Sequence, residues 1–586
     1  MSSTHPSDLP ASGAYALPTF DFVAPPELQP GARPRRHPLV IVGGGLAGLT
    51  LACDLASRGV PSVLLDDDDT VGVRGASSRG MAYVQRSLEI MARIGIYERV
   101  AAKGVRWAVG SVRSGHDELY RFDLQASSVS RQPPFINIQQ FYVEWYLVDR
   151  IVELGLTDLR WKTRVSGVAC RDDHVVLDVS TPAGNYQIEA DWVVDAEGVH
   201  SALRQGLDLP QHTEHGRDRW CITDVRFDAE QPNERWTWIA APFNEGRAVW
   251  RHPMADGVWR LDFQMAADAD PAEVSRPEVA RARVAAMLGP DQAFELVWVG
   301  PYAYRTLLME RLRHGRLLFI GDAAHAMSPF GGRGGNSGIM DADNLGWKLA
   351  LLLRGRAGAE ILDSFDAERH RAAEENIRIT SRTGRFLRPR SPAEQCLRDA
   401  VLQLAPRHAF ACALVNTGRL CTPHHYAGLP AFSDEPLAGK AVQNLSLVRQ
   451  GMAFGLIDLL RESGAALTAL LFEPATGWQA EAGRLSRALA AAAASAGLPL
   501  RVICVGVEVE DPQGRLAAET GAGPGDLALL RPDSHLAALL RRPVGVAEVL
   551  AALRRSLGQA AGEAARHSGE RERTESASSA ASAQVA

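Results

Sequence analysis

Two stretches of this chain place residues where they could hold a flat, anionic ligand. The first is Gly43-Gly44-Gly45-Leu46-Ala47-Gly48, with Asp66 about twenty residues on. The second runs from Arg316 to Leu353 and contains Gly321-Asp322, glycines at 331, 332, 334 and 335, and Asn336. Glycines let backbone approach a ligand where Cβ atoms would intrude. A helix N-terminus carries unpaired N–H groups and partial positive charge, which suit a phosphate or the anionic edge of a ring. Two glycines would fit an ordinary strand-to-helix connection; four beside Gly-Asp and Asn336 favour a ligand site.

The elements that must position these groups are legible in the same stretches. Leu39-Val40-Ile41-Val42 is a short apolar run, as a buried strand requires, and it breaks directly into GxGxxG. Leu49 to Arg58 reads as the following helix, which Gly59 caps, and Val63-Leu64-Leu65 is a second strand ending on Asp66. Gly43 would make the tight turn, Gly45 would admit a pyrophosphate, and Gly48 would let the helix pack on the sheet. This unit binds a dinucleotide, FAD or NAD. In the second stretch Leu317 to Ile320 is the strand, and Asn336 reads as the N-cap of a helix with apolar or small positions at Ala342, Leu345, Gly346, Leu349, Leu352 and Leu353.

Gly321-Asp322-Ala323-Ala324-His325, Pro329, Asn336 and Asp341 through Leu349 together resemble the second flavin motif of the FAD-dependent aromatic hydroxylases, single-component flavoprotein monooxygenases. The resemblance implies that Asp322 holds the ribityl chain, that Gly331, Gly332, Gly334, Gly335 and Asn336 with the helix beyond face the isoalloxazine, and that Pro329 fixes the loop near the ring. It also implies flavin contacts for Gln140, in INIQQFYVEWYL, and for Arg79, with Arg74 as competitor. Asp195 through Arg204 resembles the family's third motif, with Glu197 in place of its aspartate and Asp195 where glycine is common. There is no second GxGxxG in strand context, so NADH or NADPH must visit without a Rossmann domain of its own.

The fold class expected is α/β: a Rossmann-type FAD-binding domain, an interleaved β-sheet substrate domain, and a C-terminal domain resembling the thioredoxin-like module of the phenol-hydroxylase branch. Residues 1–37 read as a disordered leader, 38–210 and 311–427 as the two parts of the FAD-binding domain with a helical segment, 211–310 as the substrate domain, 428–556 as the thioredoxin-like domain and 557–586 as a disordered tail. Residues 211–310 are rich in aromatics, most of them core, since rings suit sheets whatever the function. Their polar candidates for a phenol or carboxylate partner are Arg251, His252, Tyr302, Tyr304 and Arg305, each more often structural than not. His252 and Tyr304, with Pro329, are the catalytic candidates. Ile361 to Arg385 is expected to be a charged helix with a mostly solvated face. Cys504 stands alone beside the RPDxH signature at Arg531 to His535, so the C-terminal domain is expected to serve packing or dimerisation without thiol chemistry.

Composition narrows the class. The 586 residues are 46% hydrophobic and 23% charged, with net charge −6, which disfavours nucleic acid as a partner. No run of eighteen apolar residues exists to span a membrane. The seven cysteines form no CxxC, which fits a reducing cytoplasm and gives no metal site. The function expected from the resemblance is hydroxylation of a phenolic aromatic by O2 and NAD(P)H through a flavin hydroperoxide. The alternatives are epoxidation or Baeyer–Villiger insertion on a polyketide-like substrate, or a flavin-binding assembly protein without turnover.

Overall fold

A computed structural model describes residues 15–72, 80–124, 128–228, 230–289, 292–418, 420–473 and 479–559. The chain divides into two compact units, Met1–Asp343 with Arg369–Thr422, and Asn344–Glu368 with Pro423–Ala586.

The first unit is built on a mainly parallel sheet. Strand β1 (Arg35–Val42) leads through the glycines into helix α1 (Leu46–Ser57) and strand β2 (Ser62–Leu65). Then follow β3 (Ala82–Val84), β4 (Val109–Ser114), α2 (Gln140–Leu154), β5 (Thr157–Arg160) and β6 (Gly184–Asp195). The short helix α3 (Ala202–Gly206) follows β6. Leu39, Val40 and Ile41 are fully buried, which explains why β1 reads as an unbroken apolar run and does not alternate.

A second, eight-stranded sheet is made chiefly of β7 (Gln211–Phe227), β8 (Arg235–Ala241), β9 (Arg247–Pro253), β10 (Val258–Met265) and β11 (Phe294–Met309), in the order β11-β7-β10-β9-β8-β4. Strand β12 (Leu317–Phe319) returns the chain to the first sheet, giving it the order β12-β6-β1-β2-β5. Alternation along the second sheet sorts its rings into two layers. Trp220, Ile239, Ala248 and Trp250 share a core with Val112, Phe330, Leu387 and Leu402 on one face. Val225, Trp238, Val249, Trp259, Leu261 and Phe263 pack with Val284 on the other.

Three long helices follow: α4 (Arg333–Leu353), α5 (Ile361–Leu387) and α6 (Pro392–Leu404), then the short α7 (Ala409–Leu414). Helix α4 begins three residues before Asn336, so Asn336 is not its N-cap; Gly334 and Gly335 lie inside its first turn. Helix α5 has the solvated charged face expected of it, with Asp363, Arg371, Glu374, Arg378, Arg382 and Arg385 exposed, while Glu368 and Arg369 are buried and paired on its inner side.

The leader expectation fails from Tyr15 onward. Phe20 stacks on Trp161 with centroids 4.4 Å apart, Tyr15 accepts a hydrogen bond from Gln139 at 2.8 Å, and the buried Glu27 accepts one from Arg160 at 3.3 Å. A few ring and charge contacts order a Pro-rich segment that composition alone marks as loose. Residues 1–14, and 560–586 of the expected tail, lie outside the described residues.

The second unit contains β13 (Leu467–Phe472), α8 (Gln479–Ser495), β14 (Leu500–Val505), α9 (Arg515–Thr520), β15 (Leu527–Leu530), β16 (Leu536–Leu540) and α10 (Val546–Ser556). Its sheet order is β14-β13-β15-β16, with β13 and β14 parallel and the others antiparallel. The unit starts at Pro423, five residues before the expected Gly428, and takes in residues 344–368 as well. Its buried ionic centre joins the two pieces. Arg531 donates to Glu368 at 2.7 Å through each Nη and to Asp533 at 3.0 and 2.5 Å, and Trp347 donates to Asp533 at 3.2 Å.

Candidate functional site

Four adjacent parallel strands deliver the cofactor candidates to one edge of the first sheet. The carboxyl ends of β1, β2, β6 and β12 lead respectively into Gly43, Asp66, Ala196-Glu197 and Gly321-Asp322. That edge is where ligands bind in open α/β sheets. Gly43 has φ +106°, and a Cβ there would lie 2.5 Å from the Ala196 carbonyl oxygen. A Cβ on Gly48 would overlap the Gly43 carbonyl, so this position must stay bare for α1 to start where it does. Gly45 differs: a Cβ there meets nothing within 4 Å, although it caps α1. The open space lies at the helix end that favours anions, which fits a pyrophosphate.

Asp66 does not project freely. Its carboxylate accepts the Gly44 N–H and, at 2.9 Å, the Asp68 N–H, and burial pushes its pKa up to about 6. The Asp66 side chain thereby fixes the glycine turn.

In the third motif, Glu197 accepts from the Ala202 and Leu203 N–H groups at 2.9 and 3.3 Å. Ser201 donates to the buried Asp195 and caps α3 by accepting from the Arg204 N–H at 2.9 Å. Arg204 in turn donates to the Ala323 carbonyl and, at 2.7 Å, to that of Val199. These residues brace the Gly-Asp-Ala-Ala-His turn. Burial, with Glu197 nearby, raises Asp195 to about 7.

The second motif is knitted around Asp341. Its carboxylate accepts from the Gly321 N–H at 2.9 Å, from His325 Nε2 at 2.8 Å and from Arg369 Nε at 2.6 Å. Burial opposes ionisation there, but His325 and Arg369 hold the carboxyl well below the usual range. Gly321 and Gly338 let the turn and α4 close on Ala47, with Cβ positions 3.0 and 3.2 Å from the Ala47 methyl. Asn336 is a clasp: its Oδ1 accepts from Val84 N–H at 3.1 Å, and its Nδ2 donates to the Ala82 and Gly332 carbonyls at 2.7 and 2.6 Å. It ties the glycine loop to β3. Asp322 is exposed on the same edge, and Gly335 is open to solvent at the start of α4.

Arg79 and its competitor Arg74 lie outside the described residues. Gln140 begins α2, accepts from the Gly80 N–H at 2.9 Å and donates to Glu144 at 2.7 Å. Glu144, four residues on, also accepts from Gly72 at 2.7 Å and from the first N–H of α1, and burial pushes its pKa up to about 7. The sequence showed Glu144 only as the acid after Gln140 at helical spacing; its place beneath the α1 N-terminus comes from the fold.

The second sheet turns its inner face to the glycine loop. Phe330, next to Pro329 and Gly331, sits edge-on to Trp220, Trp250 and Tyr304 at 6.1, 5.3 and 5.8 Å, and Trp220 stacks on Trp250 at 4.7 Å. Tyr304 and Pro329 thus come together around Phe330. His252, two residues beyond Trp250 on the same face of β9, is buried, with Nε2 3.6 Å from Asp262 Oδ2; burial lowers its pKa. Two other candidates go elsewhere. Arg251 points to the opposite face, against Phe227, Trp236 and Trp259, and Arg305 donates to the Val199 carbonyl. The inner face also holds Arg235, which sequence reasoning missed: in ERWTWIA only strand alternation could have marked it.

Comparison with known proteins identifies the family and the fold. A family profile described as "FAD binding domain" matches residues 36–380. A 3-(3-hydroxy-phenyl)propionate/3-hydroxycinnamic acid hydroxylase of Mycolicibacterium smegmatis is 28% identical over 62% of this chain, and the match spans 64% of that relative's length. A 6-methylpretetramide 4-monooxygenase of Streptomyces rimosus is 28% identical over 85% of this chain and 90% of its own. Among solved structures, the flavin-dependent monooxygenase PieE, in complex with FAD and substrate, covers 90% of this chain and 100% of its own at TM-score 0.76 and 22% identity. The OxyS anhydrotetracycline hydroxylase of Streptomyces rimosus covers 89% of this chain and 99% of its own, at TM-score 0.67 and 25% identity.

Proposed function

We propose, from the premise that the chain belongs to the FAD-dependent aromatic hydroxylases, that it is an NAD(P)H-using monooxygenase inserting one oxygen atom of O2 into a phenolic aromatic compound. The observation that carries this reading is the opposition of two surfaces within one unit: the glycine-lined edge of the first sheet and the aromatic inner face of the second, meeting at Pro329, Phe330 and Gly331.

Gly43, Gly45, Gly48 and Asp66 would hold the pyrophosphate and ribose of FAD, and Gln140 and Arg79 would contact its flavin. Glu197 would stiffen the neighbouring turn. Asp322, Gly331, Gly332, Gly334, Gly335 and Asn336 would line the flavin end. Bound FAD supplies electron transfer from the nicotinamide and activation of oxygen. The protein's part is orientation and exclusion of water. The N-terminus of α4 would favour negative charge on the ring by about 0.3–2 kcal/mol, depending on burial. His252, kept neutral by burial and directed by Asp262, would exchange a hydrogen bond with a substrate oxygen, and Tyr304 would fix the ring's edge.

Within this reading, a polycyclic polyketide phenol is favoured by one further observation: the pretetramide monooxygenase matches over 90% of its length, including the part beyond the FAD-binding profile. The second unit, whose βαβαββα order supports a thioredoxin-like fold, is proposed to serve packing or dimerisation. Burial raises the Cys504 thiol to about 11, so it is unsuited to exchange. A cytoplasmic setting fits the seven unpaired cysteines.

The test is a panel of monocyclic and polycyclic phenols, scored for faster NAD(P)H oxidation and a product heavier by one oxygen atom. Oxidation at one rate with and without every phenol, and no oxygenated product, would remove the monooxygenase reading.

A further inference from the structure

Arg235 is 7% exposed and lies on the inner face of the second sheet. Its place there follows from alternation and one contact: Ile239, at even spacing along β8, belongs to the inner core, and the Arg235 guanidinium lies 5.8 Å from the Trp250 ring centre. The pairing of Trp236 with Arg251 sets Arg235 opposite His252 on the neighbouring strand.

Unlike the sheet's other buried arginines, Arg235 has no side-chain hydrogen-bond acceptor among the described residues. Arg260 grips Asp224 with two hydrogen bonds of 2.9 Å. Arg251 donates to Gln231 at 2.6 Å and is wrapped by three rings on the outer face. Arg235 Nε has no hydrogen-bond partner, and no carboxylate pairs with its guanidinium among the described residues. Asp262 exerts a field on it but stands with His252 at 3.6 Å. An unpaired buried cation is costly, and the guanidinium fork matches a carboxylate or an aryl oxygen anion.

We propose that Arg235 is a specificity-determining residue that binds an anionic oxygen carried by the aromatic substrate, whose ring lies against Trp220, Trp250 and Phe330. The inference rests on the monooxygenase reading for the identity of the ligand, but not for the anion preference itself. The substrate class is then an aromatic carboxylate or an ionised phenol in preference to its neutral counterpart.

The experiment titrates the FAD-loaded protein with matched probes and follows the flavin absorbance. Two pairs are 3-hydroxybenzoate and 6-hydroxy-2-naphthoate, each with its methyl ester; the third is 4-cyanophenol, above its pKa, with its methyl ether. The first two pairs test a carboxylate source, the third a phenolate source. The anionic member of at least one pair is expected to bind about tenfold or more tightly than its neutral partner. Arg235→Met should erase that difference while retaining FAD, and Arg235→Lys should keep part of it. If Arg235→Met fails to fold, Arg235→Lys and the wild-type acid-to-ester ratio decide. Equal affinities within every pair, anionic probes that do not bind, or a preference that survives in Arg235→Met would each overturn the proposal. An anion preference without any oxygenated product would leave the Arg235 subsite standing and remove the oxygenase reading; oxygenated product without an anion preference would do the reverse.

Discussion

His325 Nε2 lies 2.8 Å from Asp341 Oδ2, with both side chains buried. One residue closes the Gly-Asp-Ala-Ala-His turn and the other sits in the third turn of α4, so this bond sets the distance between the flavin turn and the helix that follows the glycine loop. Asp341 also receives Arg369 and the Gly321 N–H. The pair is therefore a structural spacer of the cofactor edge rather than an acid–base couple facing substrate.

His325→Ala should leave Asp341 with one hydrogen-bond donor fewer in a buried site. A loss of about 3–5 kcal/mol in stability is expected, as for other broken buried pairs, along with weaker FAD retention. Denaturant unfolding of the apoprotein checks the first, and flavin content after dialysis the second. Unchanged stability would show that Arg369 and the Gly321 N–H together satisfy Asp341.

Gly45→Val and Gly48→Ala should fail in different ways. A side chain at Gly45 meets no protein atom within 4 Å, so the variant should fold with stability changed by less than about 1 kcal/mol, yet lose FAD. A methyl at Gly48 collides with the Gly43 carbonyl, so stability itself should fall. Thermal unfolding alongside flavin spectra separates the two, and full FAD content in Gly45→Val would remove the pyrophosphate assignment.

Stability should also depend on pH through Glu144, whose carboxyl is pushed by burial from its ordinary range to about 7. A raised carboxyl binds its proton more tightly folded than unfolded, so its contribution is complete below about pH 4 and falls as pH rises to about 7. Asp195, raised to about 7, and Asp66, raised to about 6, act in the same direction. Apoprotein unfolding measured from pH 5 to 8 should show this decline, and Glu144→Gln should flatten part of it. A variant as pH-sensitive as the parent would exclude Glu144 as a source.

Arg531→Met should cost about 3–5 kcal/mol, because Glu368 and Asp533 would be left buried with fewer cations. The double variant Arg531→Met with Glu368→Leu should recover part of that loss, which unfolding midpoints can establish.

Cys504→Ser should leave NAD(P)H oxidation within about twofold of the parent, since a buried thiol raised to about 11 holds almost no thiolate near neutrality. Normal FAD content with lost turnover would reveal a catalytic thiol.

The sequence by itself determined the glycine-lined edge of the first sheet. GxGxxG after an apolar run, Asp66 at the end of the next strand, and Gly-Asp before the glycine loop are local patterns: strand, turn and helix N-terminus adjoin along the chain, so spacing alone places their N–H groups. It also marked Asp341 and the RPDxH segment as singular without showing what they touch. Tertiary structure decided the rest. Asn336 looked like a helix cap because its neighbours in sequence favour one, but its partners Ala82 and Val84 are about 250 residues away along the chain. Residues 15–34 looked loose because their partners, Trp161, Gln139 and Arg160, arrive only when β5 and α2 pack. In the second sheet, alternation shows that neighbouring residues face opposite ways but not which way is inward. Only the pairing of β8, β9 and β10 sends Arg251 outward and brings Arg235 and His252 to the face that meets Phe330, because side-chain direction in a sheet is fixed by register with strands far away in sequence.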